Sequence, residues 1–216
     1  MKIIFVMLLV TILGFSSLAY AELINNGGLI YDKDLDITWY DYTKSLDTWV
    51  NQKTWASGLT VGGVTGWRLP NTVDGPNVYG ANGATTSGYN ITTSEMGHLF
   101  YTELGNKGFY DANWHYQSDY GLANKGPFAN LKPDYYWSGT VYSKDTGSAW
   151  GFSLNVGLQF TQNEGPYCNA LAVHDGDVLG NGVVLNGPSP VPIPPTVWLL
   201  GSGLIGLVGL KKRFKK

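Results

Sequence analysis

The chain has 216 residues, 44% apolar, 14% aromatic and 14% charged, with 29 glycines, 10 prolines and one cysteine. This composition suits one Gly-rich folded domain with processing segments and excludes a charge-rich disordered chain. All 16 acidic residues lie between Glu22 and Asp177 with eight of the 14 basic ones, a net −8 that argues against binding nucleic acid or an anionic membrane surface.

In chain order, residues 1–21 are predicted to be a signal peptide. Lys2 supplies the positive start, Ile3 to Phe15 the apolar core, and Ala19-Tyr20-Ala21 a small-x-small site, with cleavage after Ala21. No cysteine follows the apolar core, so the lipoprotein route is closed. A retained N-terminal anchor is the alternative.

Residues 22–187 are read as one ectodomain, because no internal repeat or long polar linker divides them. Leu29-Ile30-Tyr31 and Ile37-Thr38-Trp39-Tyr40 predict a hairpin turned at Asp32-Lys33-Asp34. A helix is expected over 45–57, capped by Ser45, with Leu46, Trp49, Val50 and Lys53 at helical spacing and Gly58 as its stop. A second helix is expected over 93–104, with Ser94 as cap and Met96, Leu99, Phe100 and Leu104 along one stripe. Alternation at 149–154 and 157–160 predicts another hairpin, turned at Asn155-Val156-Gly157, and Leu171-Ala172-Val173 a further strand. The order predicts an α+β domain with much irregular structure.

Enzymatic constellations are weak. His98, His115 and His174 lie 17 and 59 residues apart with no HExxH pair, and Cys168 stands alone, so no metal ion or cofactor is expected. Asp32, Asp34 and Asp36 alternate as in a calcium loop but lack its glycine and distal glutamate; solvated strand-edge charges explain them better. Eight residues of helix would separate Glu95 from Glu103 by roughly 12 Å, too far for a glycosidase pair. Ser138 lacks a Gly-x-Ser-x-Gly context. No catalytic residue is assigned, and the chain is not expected to be an enzyme.

The segment Phe109 to Tyr120 interleaves aromatic rings with amides and carboxylates. Sugars are bound by such mixtures, their apolar faces stacking on Trp or Tyr while Asn, Asp and Gln take the hydroxyls. Trp114, Tyr116, Asn113 and Asp119 are therefore candidate ligand-binding residues; the alternative is that the aromatics merely pack a loop on the core. Arg68, a planar five-donor fork in Gly66-Trp67-Arg68-Leu69-Pro70, is a further candidate, with a structural role as its competing reading. Trp137, within Tyr136-Trp137-Ser138-Gly139-Thr140, is expected to pack in the core with Trp150 as its neighbour.

At the far end, residues 188–195 form a stiff Pro-rich spacer, residues 196–210 a short apolar helix of roughly 22 Å against a hydrocarbon core of roughly 30 Å, and residues 211–216 a basic tail. The positive charge places that tail in the cytoplasm and the domain outside. The order VPIPP, TVWLLGSGLIGLVGL, KKRFKK resembles the PEP-CTERM sorting signal of Gram-negative bacteria, in its variant with a Val-Pro-x-Pro head. Here Val191, Pro192, Ile193 and Pro194 form that head. The resemblance implies a membrane protease of the exosortase type as partner, removal of the tail, and delivery to the cell surface or extracellular matrix. A retained tail anchor is the alternative.

Within the ectodomain, LIYDKDLDITW, GWRLP, EMGHLF, YYWSGT with AWGFSLNVG, and ALAVHDGDV occur in the order of the Lcl C-terminal domain family, which the chain resembles from Leu29 to Val178. The resemblance implies a C-type-lectin-like fold, extracellular placement, and adhesion to glycans or sulfated polysaccharides as in some members. The family closes with Val-Arg-Pro where this chain has Val173-His174-Asp175. The expected function is that of a surface-sorted, lectin-like protein that binds or organises extracellular polysaccharide, in competition with a structural matrix protein and a polysaccharide-modifying enzyme.

Overall fold

A computed structural model describes residues 23–178 and 180. The segments expected to form a signal peptide ending at Ala21, a sorting motif at Val191 to Pro194, an apolar helix and a basic tail lie outside the described residues. Among the described residues no helix is long and apolar enough to cross a membrane.

The domain is sheet-dominated and mixed α+β. Strands β1 (Leu23–Asn26), β2 (Leu29–Asp32) and β3 (Ile37–Asp47) precede helix α1 (Trp49–Ser57); two-residue strands β4 (Tyr79–Gly80) and β5 (Ser87–Gly88) precede α2 (Glu95–His98) and a π-helical turn at Leu99–Glu103. Strands β6 (Tyr135–Val141), β7 (Ser148–Ser153), β8 (Leu158–Asn163) and β9 (Cys168–Asp175) follow. They form one sheet in the order β1-β2-β3-β9-β6-β7-β8-β5-β4. Neighbours are antiparallel except β6 with β9 and β4 with β5.

Alternation along the strands splits the core into two layers, since successive side chains leave a strand on opposite faces. Leu171 and Val173 of β9 join Ile30, Trp39, Tyr136 and Phe152 under the α2 segment, whose Met96, Leu99 and Phe100 close that layer. Cys168, Ala170 and Ala172 face the other way, where these small residues leave room for Trp49, Trp67 and Trp137. Trp49 and Trp137 each donate an indole N–H across this layer, to the Ser138 and Asp47 carbonyls at 2.8 and 3.2 Å.

Both hairpins form, β2 with β3 and β7 with β8. Helix α1 starts later than expected. Ser45 and Leu46 belong to β3, which continues beside β9 through Lys44↔Ala170 and Asp47↔Cys168, so strand pairing overrides the helical spacing. Thr48 caps the helix by accepting the Asn51 N–H, and its buried stripe is Trp49, Gln52 and Ala56; Leu46 and Val50 are exposed. Ser94 caps α2 as expected by accepting the Gly97 N–H at 3.1 Å, but the helix widens into the π-helical turn after His98.

Two further expectations are corrected. Trp137 pairs with Gly151 in register, so Trp150 points to the opposite face, where it meets the Tyr142 ring edge-on and donates to Asp74 at 2.9 Å. Asp32 is fully buried rather than solvated, and burial raises its carboxyl above the ordinary value. Glu103 is pushed up to about 7, first by burial and then by the Asp32 charge.

Candidate functional site

Sequence reasoning finds no period in the Phe109 to Tyr120 segment because it folds as a tight reversal. Tyr110 bridges Tyr116, the Asp111 N–H donates to the His115 carbonyl at 3.0 Å, and the Gln117 N–H donates to Phe109 at 3.0 Å. Asp111 holds the tip. Its Oδ1 accepts the N–H groups of Asn113 and His115, both at 2.8 Å, and its Oδ2 lies 3.1 Å from the His115 ring. Those bonds, the His115 N–H foremost, lower the Asp111 pKa. This Asx arrangement is how a short acidic side chain substitutes for backbone pairing in a turn.

The tip forces Trp114 to φ +64°, a left-handed conformation that bulky residues avoid. Non-glycine strain of this kind gathers at functional sites, where surrounding structure imposes it. Here it presents an indole that is 47% exposed. Trp114 rests on Tyr79, Tyr110 and Tyr89, at centroid distances of 5.6, 5.6 and 6.5 Å. A line of ring contacts continues through Tyr110 and Phe109 (4.8 Å) to Tyr116 (5.0 Å) and Tyr120 (4.8 Å).

The line is exposed at Tyr79, Trp114 and Tyr116 and anchored from below by Tyr89, which is buried. Burial, with Tyr79 beside it, drives the Tyr89 phenol well above its ordinary pKa. Tyr79 escapes sequence reasoning because it lies in a two-residue strand 35 positions before Trp114. The one cue was an aromatic between Val78 and Gly80 in a stretch of Gly, Asn and Pro.

Polar groups lie along the same segment. Asn113 is exposed, and Asp119, kept ionised first by its hydrogen bond to Lys107, forms a 2.6 Å ion pair with it. Arg68 is engaged elsewhere: its two Nη atoms bond both oxygens of Glu95 at 2.8 and 2.7 Å, and Nε and Nη2 reach Asp175. Burial works against its charge, but these bonds outweigh it and leave the guanidinium pKa raised. The structure thus brings Trp114, Tyr116, Asn113 and Asp119 onto one reversal and commits Arg68 to joining α2 and β9.

Carboxylate chemistry is divided likewise. Glu95 serves Arg68, whereas Glu103 faces His98 and Asp32. Cys168 is buried, and burial pushes its thiol up to about 12, unsuited to nucleophilic work. It lies beneath a separate open hollow of about 430 Å³ lined by Tyr135, Phe160 and Tyr167.

No family model matches this chain, and no curated protein or solved structure does either.

Proposed function

We propose that this protein is an exported, surface-sorted, lectin-like domain that binds or organises extracellular polysaccharide through the Tyr79–Trp114–Tyr116 surface. The observation that carries the reading is a strained, half-exposed tryptophan set beside a second exposed ring. Aromatic faces held open by a rigid loop stack on pyranose rings, and the neighbouring Asn113 and Asp119 offer partners for hydroxyls. An open row of rings suits a polymer chain lying across the surface better than a small sugar enclosed in a cavity.

The resemblance of the motif order to that of the Lcl C-terminal domain family supports the lectin-like reading, and the Val191 to Pro194 head with the apolar and basic runs that follow it in sequence supports sorting. In this proposal an exosortase-type protease removes the tail, and the domain passes to the cell surface or matrix of a Gram-negative bacterium. No cofactor and no catalysis are assigned.

The test incubates the purified protein with bacterial exopolysaccharides and sulfated glycans, scoring retention and released sugar together. Saturable retention without release supports a binding module. Release of sugar would replace it with a polysaccharide-modifying enzyme, and neither signal would favour a structural matrix protein.

A further inference from the structure

Three side chains from distant parts of the chain converge beside the β2–β3 hairpin. Asp32 ends β2, His98 ends α2 and Glu103 ends the π-helical turn, and one ligand atom from each lies within 4.8 Å of the other two. Asp32 is fully buried, the Glu103 side chain is 0% exposed, and the His98 side chain is 18% exposed.

The π-helical turn makes this possible. Five residues along a regular α-helix would rotate Glu103 away from His98 by about 140°. The wider turn, closed by Leu104 N–H donating to the Leu99 carbonyl at 2.9 Å, returns Glu103 to the same side. His98 Nε2 and Glu103 Oε1 then stand 3.0 Å apart. Such turns inserted in a helix recur at functional sites.

Two further observations point to a ligand. The Leu35 N–H and the Trp39 indole N–H each donate to a different Asp32 oxygen, at 3.1 and 3.2 Å. These bonds fix the carboxylate while leaving each oxygen a lone pair, as outer partners of metal ligands do. Independently, Glu103 Oε2 is buried and has no hydrogen-bond partner among the described residues. A carboxylate oxygen stripped of water and given no donor is costly, and a cation between the three groups would satisfy it.

We propose that Asp32, His98 and Glu103 bind a divalent cation of the class that accepts imidazole together with carboxylates, zinc or manganese, which clamps the β2–β3 hairpin to the α2 segment. For metal–ligand bonds of roughly 2.0–2.2 Å, adjacent ligand atoms stand roughly 3–3.5 Å apart. The His98–Glu103 separation already meets this. Calcium fits less well, since it takes six to eight oxygen ligands. The inference is independent of the glycan surface.

The test takes the full-length chain, stripped with a chelator and then freed of it, and dialyses it against ZnCl2, MnCl2 or CaCl2 in parallel. Bound metal is measured by elemental analysis and the thermal midpoint by circular dichroism. The expected result is one retained equivalent of zinc or manganese, a midpoint that rises with metal concentration, and loss of both in His98→Ala and Glu103→Gln but not in His174→Ala. His98 is partly exposed, so His98→Ala carries the test should Glu103→Gln fail to fold. Retention of neither zinc nor manganese, retention of calcium alone, or undiminished retention in His98→Ala would overturn the proposal.

Discussion

Arg68 and Glu95 meet fork to fork, Nη1 on Oε2 at 2.8 Å and Nη2 on Oε1 at 2.7 Å, and Glu95 Oε2 also accepts the Asn71 N–H at 2.7 Å. Two parallel bonds require a planar guanidinium, so charge alone does not replace it. Glu95→Gln is expected to lower stability by about 2 kcal/mol, and Arg68→Lys to destabilise as well. Asp175, whose side chain is 77% exposed, is worth far less: Asp175→Asn should cost under about 1 kcal/mol. Urea unfolding of the three variants checks this order.

Glycan retention should separate from stability at Trp114. Trp114→Gly relieves the left-handed strain at φ +64° but gives up ring contacts with Tyr79, Tyr89 and Tyr110, so the two effects oppose and the thermal midpoint changes little. Affinity should fall about tenfold or more, as for a central aromatic anchor. Asp111→Ala is expected to weaken retention through the tip it holds, without touching the polymer. Titration of a retained polysaccharide against each variant, alongside thermal melting, distinguishes the two effects.

Glycines 88 and 28 are both left-handed, at φ +117° and +98°, yet their substitutions should differ. A methyl group on Gly88 would run into the Gly80 backbone, whereas one on Gly28 meets nothing within 4 Å. Gly28→Ala therefore bears conformational strain alone, about 1 kcal/mol, while Gly88→Ala adds a clash between β4 and β5 and should exceed about 2 kcal/mol. Because β4 carries Tyr79, the Gly88 variant should also lose glycan retention.

Alkaline pH should weaken the fold through Cys168 and Tyr101. Burial, with Asp134 adding, raises the Cys168 thiol from 9.0 to about 12, and burial raises the Tyr101 phenol from 10.0 to about 12. Between these ordinary and raised values the unfolded chain loses protons that the folded one keeps. The stabilisation is complete below about pH 9 and is lost as pH rises through about 12. Urea midpoints measured upward from about pH 8 should fall, and less steeply in Cys168→Ala.

Sorting has its own test. Replacing Val191 to Pro194 by a neutral flexible stretch is expected to leave the full-length protein in the membrane; release at the normal rate would remove the tail from its proposed role.

Much of the sheet was legible because its strands alternate or carry β-branched and aromatic runs, as at Ile37 to Tyr40 and Ala149 to Ser153. The start of α1 was not, because Ser45 to Asp47 satisfy a helical pattern while pairing with a strand more than 120 positions later. Trp114 and Tyr116 announced themselves within one segment, but Tyr79 reaches them only through the folded chain. Asp32 looked solvated beside Asp34 and Asp36 because the residues that bury it, His98 and Glu103 among them, lie 66 and 71 positions away.

The central place of β9 carries a consequence for how the molecule comes into being. This late strand sits between β3, near the start of the described chain, and β6, so neither half of the sheet can join the other until it arrives. Joining the two halves must wait for residues 168–175 to emerge, and closing so long a loop is slow. A chain cut short before Cys168 would leave two open strand edges, each a template for association with its neighbours.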